Sequence, residues 1–186
     1  MAGADKALIR LGGRTLLSHV LDRLEPQVER LAISANGDPS RFAHTGLPVL
    51  ADLASQGPLS GLLAALDWAA PLGATHVVTV AVDTPFLPED LVPRLLLAAE
   101  TSSGGVALAE SGGRLHPTFG VWPIAHTDAL RAALARGEAR VQAFAGGLGA
   151  TSAAFADERA FLNLNTPEDL VRAEAMLGGP YNGEAS

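Results

Sequence analysis

The chain has 186 residues, 48% of them hydrophobic, which is enough for one compact domain with its own core. A formal net charge of -7, with no run rich in lysine or arginine, argues against binding to a nucleic-acid backbone. The absence of cysteine excludes disulfides and thiolate metal sites, and the five scattered histidines argue against a preformed zinc site. No apolar run approaches the ~20 residues of a membrane helix, and the first residues carry charges where a signal peptide needs an apolar block. We therefore expect a cytoplasmic protein that binds neither nucleic acid nor membrane.

Short apolar runs alternate with helical periodicity along the whole chain, a pattern typical of a mostly parallel sheet covered by helices. Residues 76–82 (HVVTVAV) are β-branched and nearly all apolar, so we expect them to form a central parallel strand buried on both faces. Before them, the patterns predict an extended segment at 7–11, a helix from about 17 to 24, strands at 30–34 and 48–50, and a helix at 59–66.

The second half of the chain predicts more helices and a pair of adjacent strands. Thr166 and Pro167 are suited to start the last helix, and the segment 178–186 lacks apolar content. We expect one domain at 1–177 followed by a disordered tail at 178–186. The predicted elements are a helix at 88–97, strands at 106–109 and 118–122 joined by a glycine turn, a helix at 127–135, a strand at 152–155 and a helix at 167–176.

Asp83 directly follows the strongest predicted strand. In an open parallel sheet, ligands bind beyond the carboxyl ends of the strands, which is where this carboxylate is placed. Aspartate oxygen suits Mg²⁺, which usually takes one or two protein carboxylates and completes its shell with phosphates. The alternative is a strand-end aspartate that caps the helix near Pro88, and the residues alone favour neither interpretation.

Gly57 and Gly61 flank the start of a predicted helix. They would allow a ligand to approach the backbone at the helix N-terminus, although Gly61 can equally be packed against a neighbouring element. Glycine in the first turn costs about 1 kcal/mol relative to alanine, and this cost mildly favours a functional role. Asp52, at another strand end, can face the same crevice or simply be solvated.

Other polar residues have ordinary structural explanations of equal or greater weight. Lys6 near the N-terminus is usually a surface charge, and Asn36 begins an Asn-Gly turn although it can also bind a base. His116 stands beside a proline, and Asn165 or Thr166 is well placed to cap a helix. No pair of histidine and carboxylate stands out as a catalytic pair.

The order of these motifs resembles that of the molybdenum cofactor guanylyltransferases. The resemblance covers residues 3 to about 176, and the combination is specific although no single motif is. The motifs are Gly-x-Asp-Lys, Ser-Ala-Asn, Asp52 followed by Gly-Pro-Leu-Ser-Gly, Val-Asp-Thr-Pro, His-Pro-Thr, Gly-Glu-Ala-Arg-Val and Asn-x-Asn-Thr-Pro-Glu-Asp.

The resemblance implies a three-layer α/β/α Rossmann-like nucleotidyltransferase fold and an enzyme that joins the GMP part of GTP to the terminal phosphate of molybdopterin, releasing pyrophosphate. It implies that Asp83 holds Mg²⁺ against the triphosphate and that Lys6 neutralises phosphate charge. The other implied partners are molybdoenzymes or cofactor-delivery proteins. The implied GTP contacts also include Asn36, Asp52, Gly57 and Gly61, and the implied molybdopterin contacts are His116, Arg140, Asn163 and Asn165.

The chain departs from the family pattern at its start. Family members open with a hydrophobic strand and a loop of the form Leu-Ala-Gly-Gly-x-x-x-Arg-Met-Gly-Gly-x-Asp-Lys, and Met1 falls on the methionine inside that motif. The first strand of the family would be central, so its loss should expose two strand edges and part of the core. We expect the chain as written to fold poorly or to transfer nucleotide weakly; robust GMP transfer, compared with a form extended upstream, would contradict this.

Three alternatives remain open from sequence. The same fold suits a cytidylyltransferase that acts on molybdopterin, or a sugar-phosphate nucleotidyltransferase. A non-catalytic module that binds a nucleotide or a molybdoenzyme partner is the third.

Overall fold

The computed structural model describes residues 5–51 and 57–178, in which six α-helices are interspersed with eight short strands. The helices are α1 (Leu16–Leu24), α2 (Pro58–Ala69), α3 (Leu91–Ala99), α4 (Thr127–Ala135), α5 (Val141–Gly147) and α6 (Pro167–Gly178). The strands are β1 (Arg10–Leu11), β2 (Arg14–Thr15), β3 (Ile33–Ser34), β4 (Val49–Leu50), β5 (His76–Thr79), β6 (Ala107–Ser111), β7 (Arg114–Pro123) and β8 (Thr151–Phe155).

The largest sheet of the described residues has the strand order β5-β7-β6-β8. Strand β7 is antiparallel to both β5 and β6, and β6 is parallel to β8. Therefore β5, β6 and β8 run in one direction and only β7 opposes them. Strands β3 and β4 form a separate parallel pair, and β1 and β2 form a small hairpin. The predicted α/β fold with a mostly parallel sheet is confirmed.

Helices cover both faces of this sheet, which gives the three layers. Successive residues of a strand point to opposite faces, so Ala107 and Ala109 of β6 pack in a core with α1 and α3, whereas Leu108 packs in a core with α2, α4 and α5. Trp122 of β7 belongs to the second core and is fully buried. Apolar residues that alternate along the strands therefore supply both cores.

Most predicted helices are confirmed, with shifted ends. Helix α1 begins where Thr15 Oγ1 accepts the N–H of Ser18 at 3.1 Å, and its buried face includes Val20. Helix α3 begins at Leu91 rather than at Pro88, because the residues from 88 to 90 form a turn. Helix α5 was not predicted; its seven residues are too few to show a clear period and end in two glycines.

The prediction for residues 76–82 is wrong in two respects. Strand β5 spans only His76–Thr79, so Asp83 lies four residues beyond its end, and the residues of β5 are partly exposed or exposed rather than buried. The reason is that β5 pairs on one side only among the described residues and is therefore an edge strand. The predicted strand at 30–34 likewise shrinks to Ile33–Ser34.

An apolar cavity of about 890 Å³ separates β3 from β5. Side chains from both strands line it, including Ile33 and Val78, together with Leu62 of α2. No strand lies between β3 and β5 in the part of the chain that the structure describes. The expectation that two strand edges and part of the core are exposed stays a prediction.

The last helix runs to Gly178, one residue into the segment predicted as a tail, and residues 179–186 lie outside the described residues. None of the helices within 5–51 and 57–178 is long and apolar enough to cross a bilayer.

Candidate active site

Three of the predicted residues meet in the segment that follows β5. The Lys6 ammonium donates a hydrogen bond to Asp83 Oδ2 at 3.0 Å, and it also donates to Asn165 Oδ1. These partners are 77 and 159 residues away from Lys6 in sequence. The Lys6 side chain is 38% exposed and that of Asp83 is 15% exposed, so the pair remains accessible from solvent. The structure therefore brings one cation, one carboxylate and one amide together.

A side-chain cap at the preceding residue fixes the turn that carries Lys6. Asp5 Oδ1 accepts the N–H of Ala7 at 3.0 Å and starts the 3-10 turn Lys6–Leu8. Ala7 is buried in a small core with Leu17 of α1. The lysine is therefore carried on a turn that is anchored on both sides of its Cα.

Asp83 is tied to the segment that carries Asn165. The N–H of Leu164 donates to the backbone oxygen of Asp83 at 2.8 Å, and the Leu164 side chain is fully buried. This contact sets the distance between the end of β5 and the residues that precede α6.

The start of α6 orients Asn165. Asp169 accepts the N–H groups of Asn165 and Thr166 at 3.1 and 2.9 Å, and Thr166 Oγ1 accepts the N–H of Asp169 at 3.1 Å. This reciprocal arrangement is a capping box, and its hydrogen bonds hold the pKa of Asp169 below its ordinary value, with the Thr166 N–H as the main cause. Thr166 is thus the cap that the sequence suggests, while the Asn165 side chain contacts Lys6.

Asn36 and Gly57 line the apolar cavity, and sequence neighbours of the cluster line it too. These neighbours are Asp5, which precedes Lys6, and Val82, which precedes Asp83. The cavity therefore borders the segments that carry Lys6 and Asp83. Asp52, predicted to contact the nucleotide, lies outside the described residues.

The two glycines have different structural requirements. Gly57 has φ +88° and ψ −165°, a conformation that glycine alone adopts readily, and it is followed by Pro58 at the first position of α2. A Cβ at Gly61 would lie 2.8 Å from Ser34 Oγ, so a side chain there would require the Ser34 hydroxyl to move. Packing against a neighbouring element therefore accounts for Gly61 without a ligand.

His116 sits in an aromatic cluster beside the segment that leads to Asn165. Its ring stacks on Phe161 with centroids 4.4 Å apart, and its Nε2 is 2.8 Å from Ser111 Oγ. Burial, and to a smaller extent the charge of Arg114, lowers the pKa of His116 below its ordinary value and so favours the neutral imidazole.

Arg140 and Asn163 are exposed, and they do not meet Lys6 or Asp83 in any described contact. Arg140 precedes α5, and its N–H donates to Glu138 Oε1 at 2.8 Å. The adjacent Ala139 oxygen lies 4.0 Å from where a Cβ of Gly57 would be, so the turn that carries Arg140 borders the start of α2. Asn163 lies two residues before Asn165 in the same segment. A molybdopterin role for His116, Arg140, Asn163 and Asn165 stays a prediction.

Sequence reasoning missed three residues that hold this site. Ser111 and Phe161 position His116, and Arg41 binds the turn that begins at Asn36. No local pattern identifies them, because each contacts a residue outside its own helix or strand, and only the fold shows that contact. The glycine turn after Ser111 is the only local signal near any of the three.

The residues present fit a magnesium ion held mainly by phosphates. Within the described ranges, no group of three or more histidine, aspartate or glutamate residues is arranged to bind a metal by itself. Asp83 offers a single accessible carboxylate at the site, which matches the one or two protein ligands that Mg²⁺ commonly takes in nucleotide complexes.

Comparison with known proteins identifies the family. The sequence matches the MobA-like NTP transferase domain over residues 1–151. It is 62% identical over 177 residues to a molybdenum cofactor guanylyltransferase of Cereibacter sphaeroides, covering 95% of this chain and 90% of that protein. The chain belongs to the molybdenum cofactor guanylyltransferase family. It is therefore a nucleotidyltransferase, an enzyme of molybdenum cofactor biosynthesis.

Further similarities agree with this membership. The molybdenum cofactor guanylyltransferase of Mesorhizobium japonicum is 47% identical over 186 aligned positions, covering 95% of this chain and 89% of that protein. The structure of molybdopterin-guanine dinucleotide biosynthesis protein A from Archaeoglobus fulgidus superposes with a TM-score of 0.75 at 21% identity, covering 95% and 92% of the two chains. A cytidylyltransferase structure from Thermus thermophilus, at 23% identity and a TM-score of 0.66 over 94% of each chain, shows the same fold.

Proposed function

We propose that this guanylyltransferase family member transfers GMP from GTP to the terminal phosphate of molybdopterin and releases pyrophosphate, with Mg²⁺ as its cofactor. We further propose that it acts in the cytoplasm, where molybdoenzymes or cofactor-delivery proteins receive the product. The observation that carries the proposal is the contact of Lys6 with Asp83 and Asn165 beside a cavity bordered by Asn36 and Gly57.

The charges at this site suit a triphosphate. Lys6 is held by a carboxylate and an amide, and both contacts can be exchanged for phosphate oxygens when the nucleotide binds. Asp83 would hold Mg²⁺, which supplies further positive charge against the developing charge on the phosphates. Asn36 and Gly57, which line the cavity, would accommodate the guanosine.

The reaction demands positioning rather than a strong base. An oxygen of the molybdopterin phosphate, already ionised at neutral pH, attacks the α-phosphorus of GTP, and the bond from that phosphorus to the β-phosphate oxygen breaks as pyrophosphate leaves. Alignment and charge stabilisation provide most of the rate enhancement in such transfers. The neutral His116 beside the segment that carries Asn165 is suited to hydrogen bonding on the molybdopterin side.

Substitution of Asp83 tests the proposal. GMP transfer to molybdopterin is measured with GTP and MgCl₂ for the parent and for Asp83→Asn, and the result is expressed as the ratio of the two turnover numbers. We expect at least a hundredfold loss, the size typical for removal of one charged or donor group from such a site. Asp67→Asn is the matched control, because Asp67 forms an exposed ion pair with Arg131 at 2.9 Å and neither residue lines the cavity, so it should leave turnover unchanged.

Three results would contradict the proposal. Metal-dependent turnover that Asp83→Asn retains would exclude the role of this carboxylate. Tighter Mg²⁺-dependent binding of CTP than of GTP would favour a cytidylyltransferase instead. A scaffold without catalysis would show unchanged partner binding and no transfer in either variant.

A further inference from the structure

The guanidinium of Arg41 closes the turn that begins at Asn36. Its Nη2 donates to the backbone oxygen of Asn36 at 2.5 Å, and its Nη1 donates to the backbone oxygen of Asp38 at 2.9 Å. Gly37, between these two residues, has φ +84°, and a Cβ there would lie 3.0 Å from Nη1. The turn therefore surrounds the guanidinium, and Gly37 is the residue at which a side chain would meet Nη1.

The same side chain reaches the turn that carries Lys6. Arg41 Nε lies 2.6 Å from Asp5 Oδ2, in an ion pair whose angle is too poor for a hydrogen bond. Asp5 also caps the turn Lys6–Leu8 through its other carboxylate oxygen. One planar group thus connects the strand end that carries Asn36 to the segment that carries Lys6.

The two carbonyl bonds matter more than the ion pair. Both side chains of the pair are about one-third exposed or slightly less, and ion pairs near the surface contribute little on their own. Hydrogen bonds from a charged donor to two backbone oxygens fix a turn more firmly, and the planar fork of Arg41 makes them from two separate nitrogen atoms in a fixed geometry. A lysine at this position would keep the charge but has a single nitrogen on a flexible chain, so it would not reproduce this geometry.

We propose that Arg41 is a positioning residue for nucleotide recognition: it holds the turn from Asn36 to Asp38 so that Asn36 can contact the base of GTP. The inference rests on the proposed function, because it needs a nucleotide in the cavity that Asn36 and Asp5 border. Arg41 acts through Asn36 and does not itself need to touch the ligand. Loss of the bridge should weaken GTP binding in both the ground state and the transition state, which raises the dissociation constant and leaves kcat nearly unchanged.

A double-mutant cycle tests this assignment. The Kd for GTP in the presence of MgCl₂ is measured by titration calorimetry for the parent, Arg41→Lys, Asn36→Ala and the double variant, and kcat is measured at saturating GTP. We expect Arg41→Lys to raise Kd about tenfold, as for the loss of one hydrogen bond to the ligand, and to change kcat less than twofold. In the Asn36→Ala background, Arg41→Lys should raise Kd less than twofold further, because the group it positions is already absent.

Arg131→Lys is the control, since Arg131 also pairs with an aspartate but lies away from the cavity lining. If Arg41→Lys keeps the parental Kd, its charge suffices and the inference is wrong. If the two single effects multiply in the double variant, Arg41 acts independently of Asn36 and the inference is again wrong. Failure of the parent itself to bind GTP would instead refute the proposed function, and would be recognised before any variant is compared.

Discussion

Gly61 offers a quantitative test of whether a glycine at the start of α2 serves packing or ligand binding. In Gly61→Ala, the new Cβ would lie 2.8 Å from Ser34 Oγ but 3.8 Å from Ser34 Cβ. The first distance is a clash and the second is an ordinary contact. Ser34→Ala therefore removes the obstacle without opening a large gap.

The opposing free energies can be estimated from the structure. Alanine in place of glycine inside a helix stabilises it by about 1 kcal/mol. Overpacking costs about 1 to 3 kcal/mol, and the lower end applies because the exposed Ser34 hydroxyl can turn about χ1. Gly61→Ala should thus be nearly neutral in the parent and stabilising by about 1 kcal/mol in Ser34→Ala, a gain of roughly 2–4 °C in Tm.

Thermal unfolding of the parent, both single variants and the double variant measures this coupling. Gly146→Ala is the control, since no atom lies within 4 Å of a Cβ at that position of α5, and it should stabilise in either background. A coupling below about 0.3–0.5 kcal/mol would refute the packing explanation. GTP affinity that returns to the Ser34→Ala value in the double variant supports it, whereas affinity that stays weak would show that a ligand needs the space at Gly61.

Three further predictions concern the backbone and the capping of the site. Gly57→Ala should lower stability by about 1 to 3 kcal/mol, because its φ of +88° and ψ of −165° suit glycine alone; chemical denaturation checks this, and unchanged stability would contradict it. Thr166→Ala should lower the free energy of unfolding by about 1 kcal/mol, because α6 loses its N-terminal cap. It should also slow GMP transfer, because the cap orients Asn165. Thr151→Ala, a substitution in β8 that leaves the cap intact, is the control. The pKa of His116 is lowered in the fold, so the folded state binds fewer protons than the unfolded state, and stability falls as pH drops below about 6.5. His116→Phe should reduce this loss of stability. An identical pH dependence of Tm in the two proteins would contradict the prediction.

The architecture was largely predictable from local sequence. Alternating apolar runs predicted an α/β fold, and the periodicity of Leu17, Val20 and Leu24 predicted α1. Thr166 was a recognisable cap for α6, and Asp83 stood out because it follows an apolar strand. Such features depend on residues that are neighbours in the sequence, so they can be predicted without knowledge of the tertiary structure.

Motif order and local chemistry by themselves determined the family, the fold class and the choice of Lys6 and Asp83 as candidate residues. Only the tertiary structure decided that Lys6 meets Asp83 and Asn165, and that Ser34 occupies the space beside Gly61. It also decided that β5 pairs on one side only among the strands of 5–51 and 57–178. The physical reason is the sequence separation over which each effect acts. Propensity, capping and periodicity act over a few residues, whereas these contacts join distant segments that are brought together by packing around two cores. The residues that make these contacts have no recognisable sequence pattern, because the role of a serine or an arginine depends on which residues pack against it in the fold.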